Sequence, residues 1–234
     1  MGLLGEIRED FVNVYHNDPA IKSRFELFFN YPGIWAVTWY RIANRFYRNG
    51  FRRTGRFLMA INQFLTNIDI HPAATIGRRL FIDHGIGVVI GETAVIEDDV
   101  LIYQGVTLGG VSLTANVKRH PTVKSHAVIG AGAKVLGDIT IGENAKIGSN
   151  SVVVKSVPDN STAVGIPARI VEKGRDKDPL SHNKLPDIDK ELFDYLLKRV
   201  AVLEHILMKD HADILEKDLE LEHIYEAFLK AMKN

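Results

Sequence analysis

The chain has 234 residues, 29 Lys plus Arg set against 29 Asp plus Glu, a hydrophobic share of 46% and no cysteine. Zero formal net charge argues against a protein built around a nucleic-acid backbone, and the composition is that of a globular chain, not a disordered one. Without cysteine there is no disulfide, thiolate nucleophile, Fe–S cluster or Cys-based zinc site. A metal would need His and carboxylate ligands.

The N-terminus Met1-Gly2-Leu3-Leu4-Gly5-Glu6 lacks the basic region and apolar stretch of a signal peptide. The apolar window from Trp35 to Ile42 is broken by Arg41 and too short to span a bilayer. The expectation is a cytoplasmic protein with no membrane partner. The first 68 residues have helical rhythm. Asp18-Pro19 reads as a helix start, with Asp as N-cap and Pro at the first helical position. Pro32-Gly33 separates that helix from the broad apolar face of Trp35, Val37, Tyr40, Ala43 and Phe46. Asn49-Gly50 ends it, and a short helix over Gly55 to Phe64 follows. Arg41, Arg45, Arg48, Arg52 and Arg53 read as a solvated face rather than a nucleic-acid patch.

From residue 70 the period becomes six. Ile70, Ile76 and Ile82 step by six, as do Ile90, Ile96, Ile102 and Leu108 after a two-residue slip, and then Val123, Ile129, Val135, Ile141, Ile147 and Val153. A small or aliphatic residue follows at the fourth position, as in Ala74, Ala94, Val100, Ala127, Ala133 and Ala145. Such a period fits a triangular prism in which each hexapeptide gives one short strand and one corner. Stacked coils then bury an aliphatic core that no single repeat could bury alone. One interruption, 109–122, ends in Lys118-Arg119-His120 and reads as a functional loop on a rigid scaffold.

After Arg169-Ile170 the repeat stops. A polar stretch runs to Pro186, and then Phe193, Leu196, Val200, Leu203 and Leu207 step by three and four. A second amphipathic stretch passes through Ile214, Leu219 and Phe228. The expected fold class is therefore α+β: a helical domain over 1–68, a parallel β-helix over 69–171, a linker over 172–186 and a helical segment over 187–234.

Nine histidines raise a zinc site of the β-helix carbonic anhydrase type as a rival chemistry. His84 and His120 instead sit beside charged groups suited to a polar substrate, and His71 and His126 read as turn residues. Asp69 and His84 are spaced so that stacking can bring a carboxylate beside an imidazole. That pair would be a general base with its orienter. With no Gly-x-Ser-x-Gly elbow and no cysteine, the attacking alcohol is expected to belong to the substrate.

The set Asp18-Pro19-Ala20, Asp69-Ile70-His71-Pro72, Ile82-Asp83-His84-Gly85, Ile90-Gly91-Glu92-Thr93, Thr107-Leu108-Gly109-Gly110, Lys118-Arg119-His120-Pro121, Gly130-Ala131-Gly132-Ala133 and Gly165-Ile166-Pro167-Ala168 resembles the serine O-acetyltransferase family over roughly residues 10 to 175. The resemblance implies a left-handed β-helix and acetyl transfer from acetyl-CoA to L-serine, with O-acetylation of homoserine as the nearest alternative. It implies His84 as general base backed by Asp69. Asp18 and Asp83 would hold the substrate ammonium, and Arg119 and His120 its carboxylate. Gly110 would serve the oxyanion, Gly130, Ala131, Gly132 and Ala133 the pantetheine arm, and Lys146 the phosphates. No metal is implied. It further implies a homotrimer, with a dimer of trimers left open by the short helical domain. The family pattern departs at Val111-Ser112-Leu113, and the ending Lys233-Asn234 does not support docking to cysteine synthase.

Overall fold

The computed structural model describes residues 2–23, 25–114, 117–173, 193–201 and 203. Residues 1–185 and 186–234 form two separate units. In the first, four helices precede the strands: α1 (Leu3–Asn17), α2 (Leu27–Asn30), α3 (Pro32–Arg48) and α4 (Arg52–Thr66). The first coil is β1 (Asp69–Ile70), β2 (Thr75–Ile76) and β3 (Phe81–Asp83); the second is β4 (Val89–Ile90), β5 (Val95–Ile96) and β6 (Leu101–Tyr103). The third is β7 (Thr107–Gly109), β8 (Thr122–Val123) and β9 (Val128–Ile129), and the fourth β10 (Lys134–Leu136), β11 (Thr140–Ile141) and β12 (Lys146–Ile147). β13 (Val152–Val153), β14 (Ser161–Gly165) and β15 (Ala168–Lys173) close the stack, β14 and β15 as an antiparallel hairpin.

Every other pairing between these strands is parallel, giving a three-faced solenoid. The first face runs β1-β4-β7-β10-β13, the second β2-β5-β8-β11, and the third β3-β6-β9-β12-β14-β15. All thirteen aliphatic positions of the period-six series are buried, and of the small series named above each member is buried as well. Each buried Val, Leu or Ile contributes about 1.5–3 kcal/mol relative to exposure, so the repeat forms one continuous core. The register shows where it is irregular. Ile70 pairs with Ile90, a step of 20, whereas Ile90 pairs with Leu108, a step of 18. The two extra residues fall in the turn after β3, at His84–Gly87, and the next step, Leu108 to Val135, carries the inserted loop.

The helices cover the first coil. Ala36, Val37, Tyr40, Ala43 and Met59 join the solenoid core, and the Tyr40 hydroxyl donates to Ala74 O at 2.6 Å while accepting from Ile76 N at 3.2 Å. A smaller cluster of Val14, Leu27, Ile34 and Phe81, with Tyr31 and Leu101 against it, joins α1–α3 to the outer side of the third face.

Three local expectations are corrected. Asp18-Pro19 does not start a helix: Asp18 caps the end of α1, and its Oδ1 accepts from Ala20 N at 2.7 Å. This Asx-type turn competes successfully with helix initiation. The expected break at Pro32 is present, between α2 and α3, with Pro32 as the first residue of α3, and α4 begins three residues before Gly55. Nor is Arg41 solvated surface. It is 6% exposed, paired with Asp10 at 3.1 Å, and donates to Ile76 O at 2.8 Å and Gly77 O at 2.5 Å. Burial raises the Asp10 carboxyl, against the pull of Arg41. Five hydrogen-bonding directions on one guanidinium let it bridge a helix carboxylate and two strand-end carbonyls.

In the second unit, residues 193–201 are helical, with Phe193, Leu196, Val200 and Leu203 exposed. The predicted linker beyond Lys173, the stretch through Ile214 and Phe228, Leu207, and the Lys233-Asn234 ending lie outside the described residues. Among the described residues no helix is long and apolar enough to cross a membrane.

Candidate active site

Most of the predicted site residues gather at or beside two edges of the prism. Edge I joins the third face to the first and contains His84–Val88, Gln104–Val106, Gly130–Ala133 and Gly148–Ser151. Edge II joins the first face to the second and contains Gly91–Ala94 and the loop from Gly110 to Pro121.

On edge I the two inserted residues let the chain turn outward. His84, Gly85 and Gly87 have φ of 59°, 71° and 77°, the left-handed region that His tolerates better than most non-glycine residues. The His84 side chain is 75% exposed, with Nε2 3.9 Å from Asp83 Oδ1. Asp69 lies directly beneath this turn, because Asp69 N donates to Val88 O and Gly87 N to Asn67 O at 2.9 and 2.8 Å. Among the described residues, however, no hydrogen bond joins the Asp69 carboxylate to the His84 ring. The widened turn carries the imidazole out toward solvent instead of back along the stack.

Asp83 is half-buried at the end of β3. Burial pushes its carboxyl up, His84 opposes that shift, and Asp18 adds to it. The packing of α1–α3 on the third face thus brings Asp18 close enough for its charge to act on Asp83. Two tyrosines missed in the sequence complete this corner. Tyr31 donates to Asp18 Oδ2 at 2.6 Å; burial first, and then Asp18, hold its phenol above the usual tyrosine range. Tyr103 pairs with Asp83 across β3 and β6, and burial followed by Asp83 raises it too. Nothing in the periodicity could reveal Tyr31, which meets Asp18 through tertiary packing alone.

Above His84 the same edge carries a glycine in each of three successive coils, with Ile86 and Gln104 exposed beside them. Gly87, Gly105 and Gly132 stack with φ of 77°, 69° and 72°, and a Cβ on Gly105 would stand 3.4 Å from Gly132 Cα. Asn150 takes the equivalent place in the last coil, at φ 57°. Gly130, Ala131, Gly132 and Ala133 thus lie on the His84 edge, and Lys134 beside them donates through its amine to Gly105 O. Lys146 lies on the third face, in register with Val128 and Thr162.

Gly110, Arg119 and His120 belong to edge II. The His120 ring rests where Gly91 has no side chain: a Cβ there would lie 2.0 Å from His120 Nε2. Arg119 Nη2 pairs with Glu92 Oε2 at 2.9 Å, and its Nη1 donates to Ser112 O at 3.4 Å. Lys118 reaches Thr93 O at 3.1 Å, His120 O, and Asp138 at 3.6 Å. Burial, then Arg119, lowers the His120 pKa below 6.5. Glu92 and Thr93 belong to the Ile90-Gly91-Glu92-Thr93 motif, whose pattern alone gives them no role. His71, at the preceding corner of this edge, spends Nδ1 on Ala73 N at 3.0 Å, and His126 is a left-handed corner residue. Among the described residues no three His, Asp or Glu side chains converge as a metal would require.

The bacterial transferase hexapeptide model, six repeats, matches residues 120–155. A serine acetyltransferase of Bacillus subtilis (strain 168) is 48% identical over 200 residues, which is 85% of this chain and 92% of that protein. The chain belongs to the serine acetyltransferase family. Two solved members superpose on it. The Brucella abortus strain S19 enzyme in complex with coenzyme A gives a TM-score of 0.70 at 42% identity, covering 73% of this chain and 68% of that one. The Neisseria gonorrhoeae enzyme in complex with serine gives 0.69 at 39%, covering 73% and 69%.

Proposed function

We propose that this chain transfers the acetyl group of acetyl-CoA to the hydroxyl of L-serine, giving O-acetyl-L-serine and CoA, the first step of cysteine synthesis from serine. The observation that carries the reading is the composition of edge I. An exposed imidazole flanked by carboxylates stands at the foot of a column of three stacked glycines, in a chain of this family. Asp18 and Asp83 suit the serine ammonium. His84 takes the hydroxyl proton as the serine oxygen bonds to the acetyl carbon, and the thioester C–S bond breaks to leave CoA, which receives that proton. Asp69, beneath the turn, steadies the imidazolium once the substrate draws the ring inward. The glycine column from Gly105 to Gly132, with Gly130, Ala131 and Ala133, takes the pantetheine arm, and Lys146 the phosphates. No metal takes part.

Arg119 and His120 suit the serine carboxylate, and the Gly110 amide the developing oxyanion. They stand across the first face from His84, about 15 Å away at the rise of extended chain. A second copy that laid its edge II against edge I would unite both halves. The reading is therefore of a cytoplasmic homotrimer, with one site at each junction.

The test is release of free CoA with serine and homoserine as acceptors. Serine is expected to be the better acceptor, with no dependence on added zinc and with the activity lost in His84→Ala. Preference for homoserine, or full activity in that variant, would overturn the reading.

A further inference from the structure

Thr93 is the hub of edge II, and its hydrogen-bonding capacity is fully used. A threonine hydroxyl has one donor and two acceptor positions. Thr93 Oγ1 accepts from Arg119 N at 3.0 Å and from His120 N at 3.1 Å. Its remaining hydrogen points to His120 Nδ1, 2.9 Å away. The backbone N of Thr93 reaches the same Nδ1 at 3.2 Å. A backbone N–H can only donate, so Nδ1 is the unprotonated nitrogen and the neutral ring carries its hydrogen on Nε2. That atom lies between Gly91 and Gly110, where a Cβ would come within 2.0 and 3.1 Å of it respectively, on a ring that is itself buried. Glu92, the residue before Thr93, holds the Arg119 guanidinium. One corner thus sets the backbone of both loop residues, the tautomer of one and the side chain of the other.

We propose that Thr93 is a positioning residue, presetting His120 as an Nε2–H donor and Arg119 as its cationic neighbour to receive the carboxylate of the amino-acid substrate. The inference rests on the reading of edge II as the carboxylate half of the site. Thr93 touches no substrate; it acts through the two residues that do. Thr93→Val keeps the shape and removes the hydroxyl, leaving two backbone N–H groups without their acceptor, whereas Thr93→Ser keeps it.

The experiment measures the serine and acetyl-CoA KM and kcat of Thr93→Val, Thr93→Ser and Arg119→Ala. Loss of two hydrogen bonds and a ring anchor is expected to raise the serine KM of Thr93→Val about tenfold or more. Its acetyl-CoA KM should stay within about twofold, and Thr93→Ser should stay within about threefold of the parent. A parental serine KM in Thr93→Val, together with a raised one in Arg119→Ala, overturns the role of Thr93 and leaves the carboxylate reading intact. An unchanged serine KM in Arg119→Ala overturns the carboxylate reading itself. Nitrogen NMR of the parent protein labelled in histidine gives a readout independent of any variant's folding. A hydrogen on Nδ1 of His120 in the neutral ring would overturn the proposal; one on Nε2 supports it.

Discussion

The two edges of the solenoid prepare for a ligand in opposite ways. Edge I is prepared by omission: the glycines at 87, 105 and 132 leave backbone where side chains would stand, and the His84 ring projects with its nearest carboxylate 3.9 Å away. Edge II is prepared by restraint: Thr93, Glu92 and Gly91 hold Arg119 and His120 through hydrogen bonds, an ion pair and ring packing. A long, thin ligand portion needs an unobstructed track, whereas a small charged group needs donors fixed in advance, since ordering them on binding would cost affinity. The same six-residue repeat supports both because its corners, unlike its inward positions, are not committed to the core.

This contrast can be broken most forcefully at His84. His84→Ala should lower kcat by about 10²–10⁴, the range for a lost general base, while the thermal midpoint stays at the parental value because the ring is exposed. A large drop in midpoint would mean that the edge I turn depends on the ring. Next come two glycine substitutions, expected to act on opposite substrates. Gly91→Ala would place a Cβ 2.0 Å from the His120 ring, and should raise the serine KM about tenfold or more through the lost carboxylate contacts. Gly132→Ala would place one 2.1 Å from Asn150 Oδ1, at φ 72°, and should raise chiefly the acetyl-CoA KM. If both variants affect the same substrate, the division of labour between the edges is wrong.

A smaller effect is expected at Tyr31. Tyr31→Phe removes one hydrogen bond to Asp18 and should raise the serine KM several-fold with kcat nearly unchanged, in line with about 0.5–1.5 kcal/mol for such a bond. Equal losses in kcat and kcat/KM would instead give Tyr31 a part in the transition state. The smallest effect concerns pH. Burial is the first cause of the lowered pKa values of His71 and His120, both below 6.5. The unfolded chain protonates these rings first as pH falls. The stability they contribute is therefore present above pH 6.5 and lost as pH falls through their folded-state values. Denaturant midpoints at about pH 7.5 and 5.5 should show the loss, and His71→Asn should flatten it. An unchanged slope would assign the acid sensitivity to other groups.

Legibility followed the kind of constraint involved. Each inward aliphatic residue has its role from period alone, because a position buried on all sides tolerates little else. The candidate site residues are singled out one by one through motif, yet their grouping on the prism is not. Asp69 and His84 look like a dyad by spacing, and the fold does place Asp69 beneath the His84 turn. Spacing alone does not show that the two extra residues at 84–87 leave the ring 75% exposed. Asp18 reads as an N-cap by local preference, and its Asx turn at the end of α1 shows a competing local bond prevailing. Arg41 reads as surface because it is one of five arginines spread around helix faces in a neutral chain, and only the solenoid end beneath it supplies the carbonyls that bury it.

A six-residue period, thirteen aliphatic positions and the place of one inserted loop were enough to establish a stacked, parallel, three-faced solenoid. Burial of a repeated core is a one-dimensional property, read along the chain. Which corners share an edge is not such a property. It depends on the summed lengths of all intervening corners and on how α1–α3 pack against the third face. Tertiary structure alone therefore decided that Tyr31 meets Asp18, that Thr93 holds His120, and that His84 and Arg119 occupy different edges of the same chain.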